Sequence, residues 1–514
     1  MSTRTRPPTL AAALVPLLVG GLTVGTLVAP PAFADPAAAP SVDAAAAGPI
    51  ETSRGTDRLA PGVTHDSFDR WQSDGWLRAD ALTVDLTSGA KVEYLSADPV
   101  ASTQPISTQV KAIPNAVAAV NGDFFDINDT GASNGVGISD GELVKSANDG
   151  RANAVSLDPQ GLGRILQIDF DGTVTTPAGT VLDLAALNAN TLDAGEIGEY
   201  TPLWGAMSRT RVVVGAARTA EVVVTDGVVS SVGATPGEGA IPQGSVVLVG
   251  REAGADALLA LKVGDALGIE YAPKTSDGSV SRTAIGGNQL LVVDGVVQTH
   301  PDDGQAARSA VGFSADGATM YVLTVDGKQT NSAGITVPQM AAMMAELGAH
   351  NAINIDGGGS STMLAREPGT DELGIVNSPS DGSERPVANG LAITVPEGTG
   401  KLDGYTVDTA ADPARAPGAA PVAGGSPDRV FPGLSRQLTA VGHDEQYGPA
   451  KGRPRWSTDD RGVGYVDAEG VFHARRTGET TVTARSGRDT GCLDLAVLGE
   501  LTRLDGTVER VGLA

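Results

Sequence analysis

TVPQMAAMMAELGAHNAINIDGGGSST, residues 336–362, holds a helix, a strand and a loop in one unbroken run. Thr336 and Gln339 have the spacing of a capping box, and Pro338 falls in the first turn, where its missing N–H costs nothing. Val337, Met340, Ala341, Met344 and Leu347 recur at helical spacing, so the methionines read as core filling rather than a cofactor box. Gly348 stands where a C-cap belongs. The apolar alternation of 351–355 then predicts a buried strand that runs into the loop Asp356-Gly357-Gly358-Gly359-Ser360-Ser361.

Outward from this unit, residues 61–398 break into short β-type runs between Gly, Asp and Asn turns. In VVVTDGVV (222–229) and QLLVVDGVV (289–297), Asp-Gly between apolar runs signals hairpins. The expected fold is α+β, a strand-rich domain of mixed sheets with few helices. Residues 160–285 carry several hairpins and no chemical motif, which suits an insertion or a scaffold subdomain. Residues 35–60 are rich in Ala and Pro and read as a flexible leader; 399–427, also rich in Pro, Ala and Gly, read as a linker to a domain at 428–514. Residues 1–34 have the form of a secretory signal peptide: Arg4 and Arg6, an uncharged stretch from Leu10 to Ala29, then Ala32-Phe33-Ala34. Pro16, Pro30 and Pro31 favour cleavage over a retained anchor. The expected location is secreted, extracellular or associated with the cell wall, without stable membrane insertion.

Composition narrows the partners. The 514 residues hold 36 Lys plus Arg against 61 Asp plus Glu, a net charge of −25, which argues against nucleic acid because polyanion binding draws on basic side chains. One cysteine, Cys492, excludes a disulfide framework, and the five histidines show no ligand spacing. A calcium loop is half present, since Asp126, Asn128 and Gly131 fit but Gly137 stands where Glu belongs. The glycine loop lacks the Lys of a phosphate-binding P-loop. No metal and no cofactor are expected.

Four polar clusters sit in apolar or glycine-rich settings: Asn121-Gly122-Asp123-Phe124-Phe125, Arg308-Ser309-Ala310-Val311-Gly312, the loop at 356–361, and Arg385-Pro386-Val387-Ala388-Asn389. Taken singly, each reads as a turn. In this order and spacing, with the helix between the second and third, they resemble the phosphodiester glycosidase family across much of residues 80–395. That resemblance implies hydrolysis of a sugar-1-phosphate diester, with a glycosyl-phosphate or polysaccharide substrate.

The residues suit such chemistry. Glycosidic C–O cleavage passes through an oxocarbenium-like transition state that carboxylates stabilise. Asp356 is the leading catalytic carboxylate, with Gly357, Gly358 and Gly359 allowing close approach. Asp123 is a second candidate, although the family pattern also accepts Gly there; Asp326 is a third. Arg308 and Arg385 suit phosphate oxygens, which guanidinium groups contact bidentately. The loop N–H groups, with Ser360 and Ser361, offer an anion nest, and Asn121 and Asn389 are expected to orient sugar hydroxyls. Residues 429–487, with Trp456, Asp467-Ala468-Glu469-Gly470 and Gly478-Glu479-Thr480-Thr481-Val482, resemble a bacterial group 2 immunoglobulin-like domain, which implies an all-β sandwich. Trp456 reads as core. Two other readings stay open: an O-glycosidase with no phosphate requirement, and a non-catalytic carbohydrate-binding or adhesion protein.

Overall fold

The computed structural model describes residues 49–301, 304–409 and 427–499. The segment read as a signal peptide lies outside them. Among the described residues the fold is strand-rich, with several sheets and little helix. No helix there is long and apolar enough to cross a membrane.

An eight-stranded sheet runs in the order Ile50–Ala60, Val63–Gln72, Gly75–Asp85, Thr319–Val325, Arg308–Phe313, Asn351–Ile355, Leu290–Val293, Val296–Val297. A five-stranded sheet has the order Leu373–Ile375, Met363–Arg366, Ala116–Asn121, Asn389–Thr394, Lys91–Ser96. Their facing surfaces share one apolar core, with Leu82, Val311, Val322 and Ile353 from the first and Val120, Met363, Leu391 and Ile393 from the second. The other face of the long sheet is covered by the helix Val337–Leu347, which buries Met340, Met343 and Met344 beside Ala310, Leu323 and Val325. The capping box forms: Gln339 N donates to Thr336 Oγ1 (3.3 Å), Thr336 N donates to Gln339 Oε1 (2.9 Å), and Gly348 closes the helix at φ +108°. Both Asp-Gly hairpins form as well, with Asp226 and Gly227 at φ +50° and +77°, and Asp294 and Gly295 at +49° and +76°.

Register explains where a site can arise. In antiparallel strands, residues two apart share a face. One row of the long sheet is Leu82, Val322, Val311 and Ile353; two residues nearer the strand ends it becomes Asp80, Thr324, Ser309 and Ile355. The inner face therefore turns polar one layer below its rim, while staying buried.

Three boundaries differ from expectation. Ile50–Ala60, read as leader, is a strand, because it pairs along Val63–Gln72 and buries Leu59 and Ala60. Gly404–Thr409, read as linker, pairs with Ser435–His443 and belongs to the C-terminal sheet. Residues 160–285 are only partly separate: Ala186–Leu187, Ile197–Tyr200, Ser245–Arg251, Thr219–Thr225 and Val228–Gly233 form a five-stranded sheet of their own, whereas Gly163–Thr175 and Thr283–Gly286 both pair with Asn153–Leu157. The C-terminal unit is β throughout, its core built from Val430, Leu438, Phe472, Val482 and Leu495 with Trp456 packed against them. Arg366 donates to the carbonyls of Leu59 and Gln446, and Arg58 donates to Tyr447 Oη (3.0 Å), so this unit is fastened to the first sheet.

Thr336→Ala removes one half of the capping box. It should lower the unfolding free energy by about 1 kcal/mol in urea titrations; an unchanged midpoint would mean that packing alone holds the helix.

Candidate active site

The polar rim is organised by Asn121, the last residue of Ala116–Asn121 and fully buried. Its Oδ1 accepts from Ser309 Oγ (2.9 Å) in the long sheet and from Thr362 N (3.1 Å) beyond the glycine loop. Its Nδ2 donates to the carbonyl of Asp356 (2.7 Å), while Asp356 N donates to Gly122 O (2.9 Å). Asp356 is thus held by both of its peptide groups at the point where the two sheets meet.

The Asp356 carboxylate is half-buried, and Oδ1 accepts from Gly357 N (2.9 Å). Burial pushes its pKa up to about 6, against the opposing pull of Ser360, the Gly357 N–H and the Arg385 guanidinium. Arg385 donates through Nε to Asp381 (2.8 Å) and through Nη1 to Ser360 Oγ (3.4 Å). A methyl group at Gly359 would overlap Arg385 and Asp381, so glycine is what lets the guanidinium lie on the loop. Arg308 is anchored by the carbonyls of Ile335 and Gly304, both at 2.8 Å, and its backbone packs on Gly357.

Two expectations change here. The N–H groups of Gly357, Gly358, Ser360 and Ser361 all donate inward, to Asp356, Ala307, Gly357 and Gly358, so they do not form an outward anion nest. The amides of Asn121 and Asn389 are spent inside the protein rather than turned toward a sugar. Asn389, 1% exposed, accepts from Asp123 N (2.9 Å) and donates to Tyr94 Oη (3.3 Å). Both asparagines build the site instead of lining it.

Asp123 lies behind this surface, 2% exposed, with Oδ2 accepting from Gly135 N. Burial raises its pKa, and the charge of Asp356 adds to the rise. Asp326 is wholly buried and accepts from Ser378 N (2.8 Å) and Asn377 Nδ2 (3.3 Å), and Asn377 Nδ2 also donates to Ser361 O (3.0 Å). It supports the end of the glycine loop. Its Oδ2 has no partner, like Asp80 Oδ2, and burial followed by repulsion from Asp80 pushes its pKa up to about 7. Asp126 accepts from Thr130 N and Oγ1, both at 3.0 Å, which uses it to close its own turn.

Sequence reasoning missed Tyr94, Lys145, Asn377 and Asp381. Each lies outside the four clusters, and only contacts made across strands bring them in. A cleft of about 370 Å³ opens beside Arg385, lined by Phe125, Ile127, Thr130, Met207 and Pro386 among others. A larger one, about 600 Å³, adjoins the C-terminal unit around Arg366 and Asp444 and contains none of the candidate residues.

A family model described as phosphodiester glycosidase matches residues 218–394. That stretch includes Arg308, Asp326, the glycine loop, Arg385 and Asn389; Asn121 and Asp123 precede it. Over 90 residues the chain is 39% identical to the SPbeta prophage-derived uncharacterized protein YomE of Bacillus subtilis (strain 168), covering 18% of this chain and 13% of that protein. Two solved structures share the fold. One, from Burkholderia pseudomallei K96243, has a TM-score of 0.56 at 22% identity, covering 68% of this chain and 97% of that one. The other, from Synechocystis, has a TM-score of 0.57 at 21% identity, covering 67% of this chain and 64% of that one.

The Asp326 geometry has a thermodynamic consequence. Between about pH 4 and pH 7 the carboxyl is protonated in the fold and ionised in the unfolded chain, so stability falls as pH rises through that window. Asp326→Asn should remove on the order of 2 kcal/mol of the loss seen by urea unfolding between pH 5 and pH 7.5. An identical pH slope in the variant would contradict this.

Proposed function

We propose, from the match of residues 218–394 to a family model described as phosphodiester glycosidase, that the protein is a secreted hydrolase of sugar-1-phosphate diesters in cell-envelope or extracellular glycopolymers. The observation that carries the reading is the pairing, on one glycine loop, of a half-buried carboxylate with an arginine: Asp356 and Arg385 both reach Ser360.

The chemistry follows from that pairing. A phosphodiester leaving group is weakly basic, so the bond to the anomeric carbon breaks without strong general-acid help. The need is for negative charge near the developing oxocarbenium ion and positive charge on the departing phosphate. Asp356, ionised above about pH 6, meets the first. Arg385 meets the second, with Arg308 across the loop, since guanidinium groups bind phosphate oxygens as charged donors. Asp123 and Asp326 act from behind, as supports of this surface. The cleft beside Arg385 receives the second substituent of the phosphate, and Met207 makes residues 160–285 part of its wall. The C-terminal unit fits an immunoglobulin-like spacer, and residues 1–34 fit an export signal.

Four outcomes test this. Incubated with sugar-phosphate polymers, the protein should release free sugar and leave a phosphomonoester, identified by mass spectrometry. Sugar phosphate plus alcohol would mean P–O cleavage, and cleavage confined to p-nitrophenyl glycosides would mean an ordinary O-glycosidase. Asp356→Asn should lower kcat by about 10³-fold, and kcat/KM of the unmodified protein should fall as pH drops below about 6. A rate that stays flat down to pH 4.5 would remove Asp356 from the role. Gly359→Ala should raise KM as Arg385→Ala does, with little change in Tm, because the methyl group displaces only the ends of two side chains, Arg385 and Asp381.

A further inference from the structure

Lys145 has no solvent exposure, the lowest of any lysine or arginine among the described residues. An enclosed ammonium is costly unless its protons find acceptors. Here Nζ donates to Ser146 O (2.7 Å), Gly135 O (3.3 Å) and Asn148 Oδ1 (3.3 Å), all neutral oxygens. Gly135 links it to the site, for the N–H of that residue donates to Asp123 Oδ2 while its carbonyl accepts from Lys145.

The surroundings permit little adjustment. A methyl group at Gly135 would stand 2.6 Å from Gly286 Cα and 2.9 Å from Asp123 Oδ2; one at Gly286 would stand 2.7 Å from the same oxygen. Bare backbone on both sides thus presses against Asp123. Asn148 is braced in turn: its N–H donates to Asn134 O (2.8 Å), and its Nδ2 donates to Asn190 Oδ1 (2.5 Å). Asn190 Nδ2 donates to Ala132 O (3.1 Å) and Asn134 Oδ1 (3.0 Å). A side-chain network that includes the half-buried Asn134 and Asn148 ends, through Gly135, on one carboxylate.

We propose that Lys145 is a positioning residue of the active site, fixing through the two ends of Gly135 both the orientation and the charge of Asp123, the carboxylate that backs Asp356. This rests on the site reading given above. Other charged or titratable groups facing the pair are Asp356, which Arg385 faces in turn, and Tyr94, whose hydroxyl burial pushes up to about 12 and keeps neutral throughout. Burial raises Asp123 and depresses Lys145, while each one's charge favours ionisation of the other. Lys145 therefore draws the proton off Asp123 at lower pH than burial alone would allow. Once Asp123 ionises, a second negative charge stands behind Asp356, on the side of the surface away from an anionic phosphodiester but close enough to oppose it, and turnover declines on the alkaline side.

Lys145→Met, nearly isosteric, should move that alkaline decline upward by about one pH unit. Asp123→Asn should abolish the decline, and in that background Lys145→Met should shift nothing further. An unmoved limb, or an equal loss of kcat/KM in both backgrounds, would reduce Lys145 to a structural role and overturn the proposal. A second readout needs no substrate. With ¹³Cγ-labelled aspartate, the resonance lost in Asp123→Asn should titrate at higher pH in Lys145→Met, and in Lys145→Gln if the methionine variant misfolds. An unchanged midpoint in a folded variant overturns the pairing even if the protein hydrolyses no phosphodiester; a shifted midpoint without hydrolysis sustains the pairing and sinks only the functional reading.

Discussion

The buried amide of Asn121 is the contact on which the rest of the site depends. One side chain joins the ends of two sheets through Ser309, steadies the far side of the glycine loop through Thr362, and holds the carbonyl of Asp356. Each bond is of ordinary strength, and their shared origin is what matters. An amide that satisfies donors and acceptors on three segments lets none of them move without stranding a buried polar group, which costs more than the bond itself contributes. The strand that delivers Asp356 and the strand that delivers Asp123 are therefore set in one register with respect to each other.

Around this tie the protein keeps an unusual concentration of carboxylates out of water. Asp356, Asp123 and Asp326 all have their pKa raised, and in each case burial is the largest cause. The surface is strongly acidic, with a net charge of −25 over the chain, so it offers an anionic substrate little long-range attraction. At the glycine loop the positive charge comes from Arg308 and Arg385, and Asp381 already engages Arg385. Such an arrangement favours ligands that fit the loop over polyanions at large.

Much of the fold was legible because its signals are local. The capping box of Thr336 and Gln339, the Asp-Gly hairpins and the methionine stripe concern residues within a turn or two of one another. Pairing partners are not local, which is why Ile50–Ala60 and Gly404–Thr409 passed for leader and linker. Each borders a Pro- and Ala-rich stretch and declares itself only by what it hydrogen-bonds to. The site divided the same way. Asp356, Arg308 and Arg385 stand out in sequence as polar residues in a glycine-rich context, and the fold places all three around the glycine loop, whereas the burial of Asn121 and Asn389 has no local signal, because a buried amide and an exposed one look alike in sequence. Lys145, between Val144 and Ser146, carried no signal until the third dimension set it behind Asp123.

The change from Leu82, Val322, Val311 and Ile353 to Asp80, Thr324, Ser309 and Ile355 also bears on how the molecule transmits force. Asp356 is attached to both sheets one layer above a close-packed interface, so it works as the pointer of a gauge whose dial is the spacing between them. A change of volume deep in that interface, at Val120 or Val311 for instance, slides one sheet over the other and reaches the carboxylate as displacement. In a protein built this way the hydrophobic core is part of the aiming mechanism, and substitutions that leave the fold standing are still felt at Asp356.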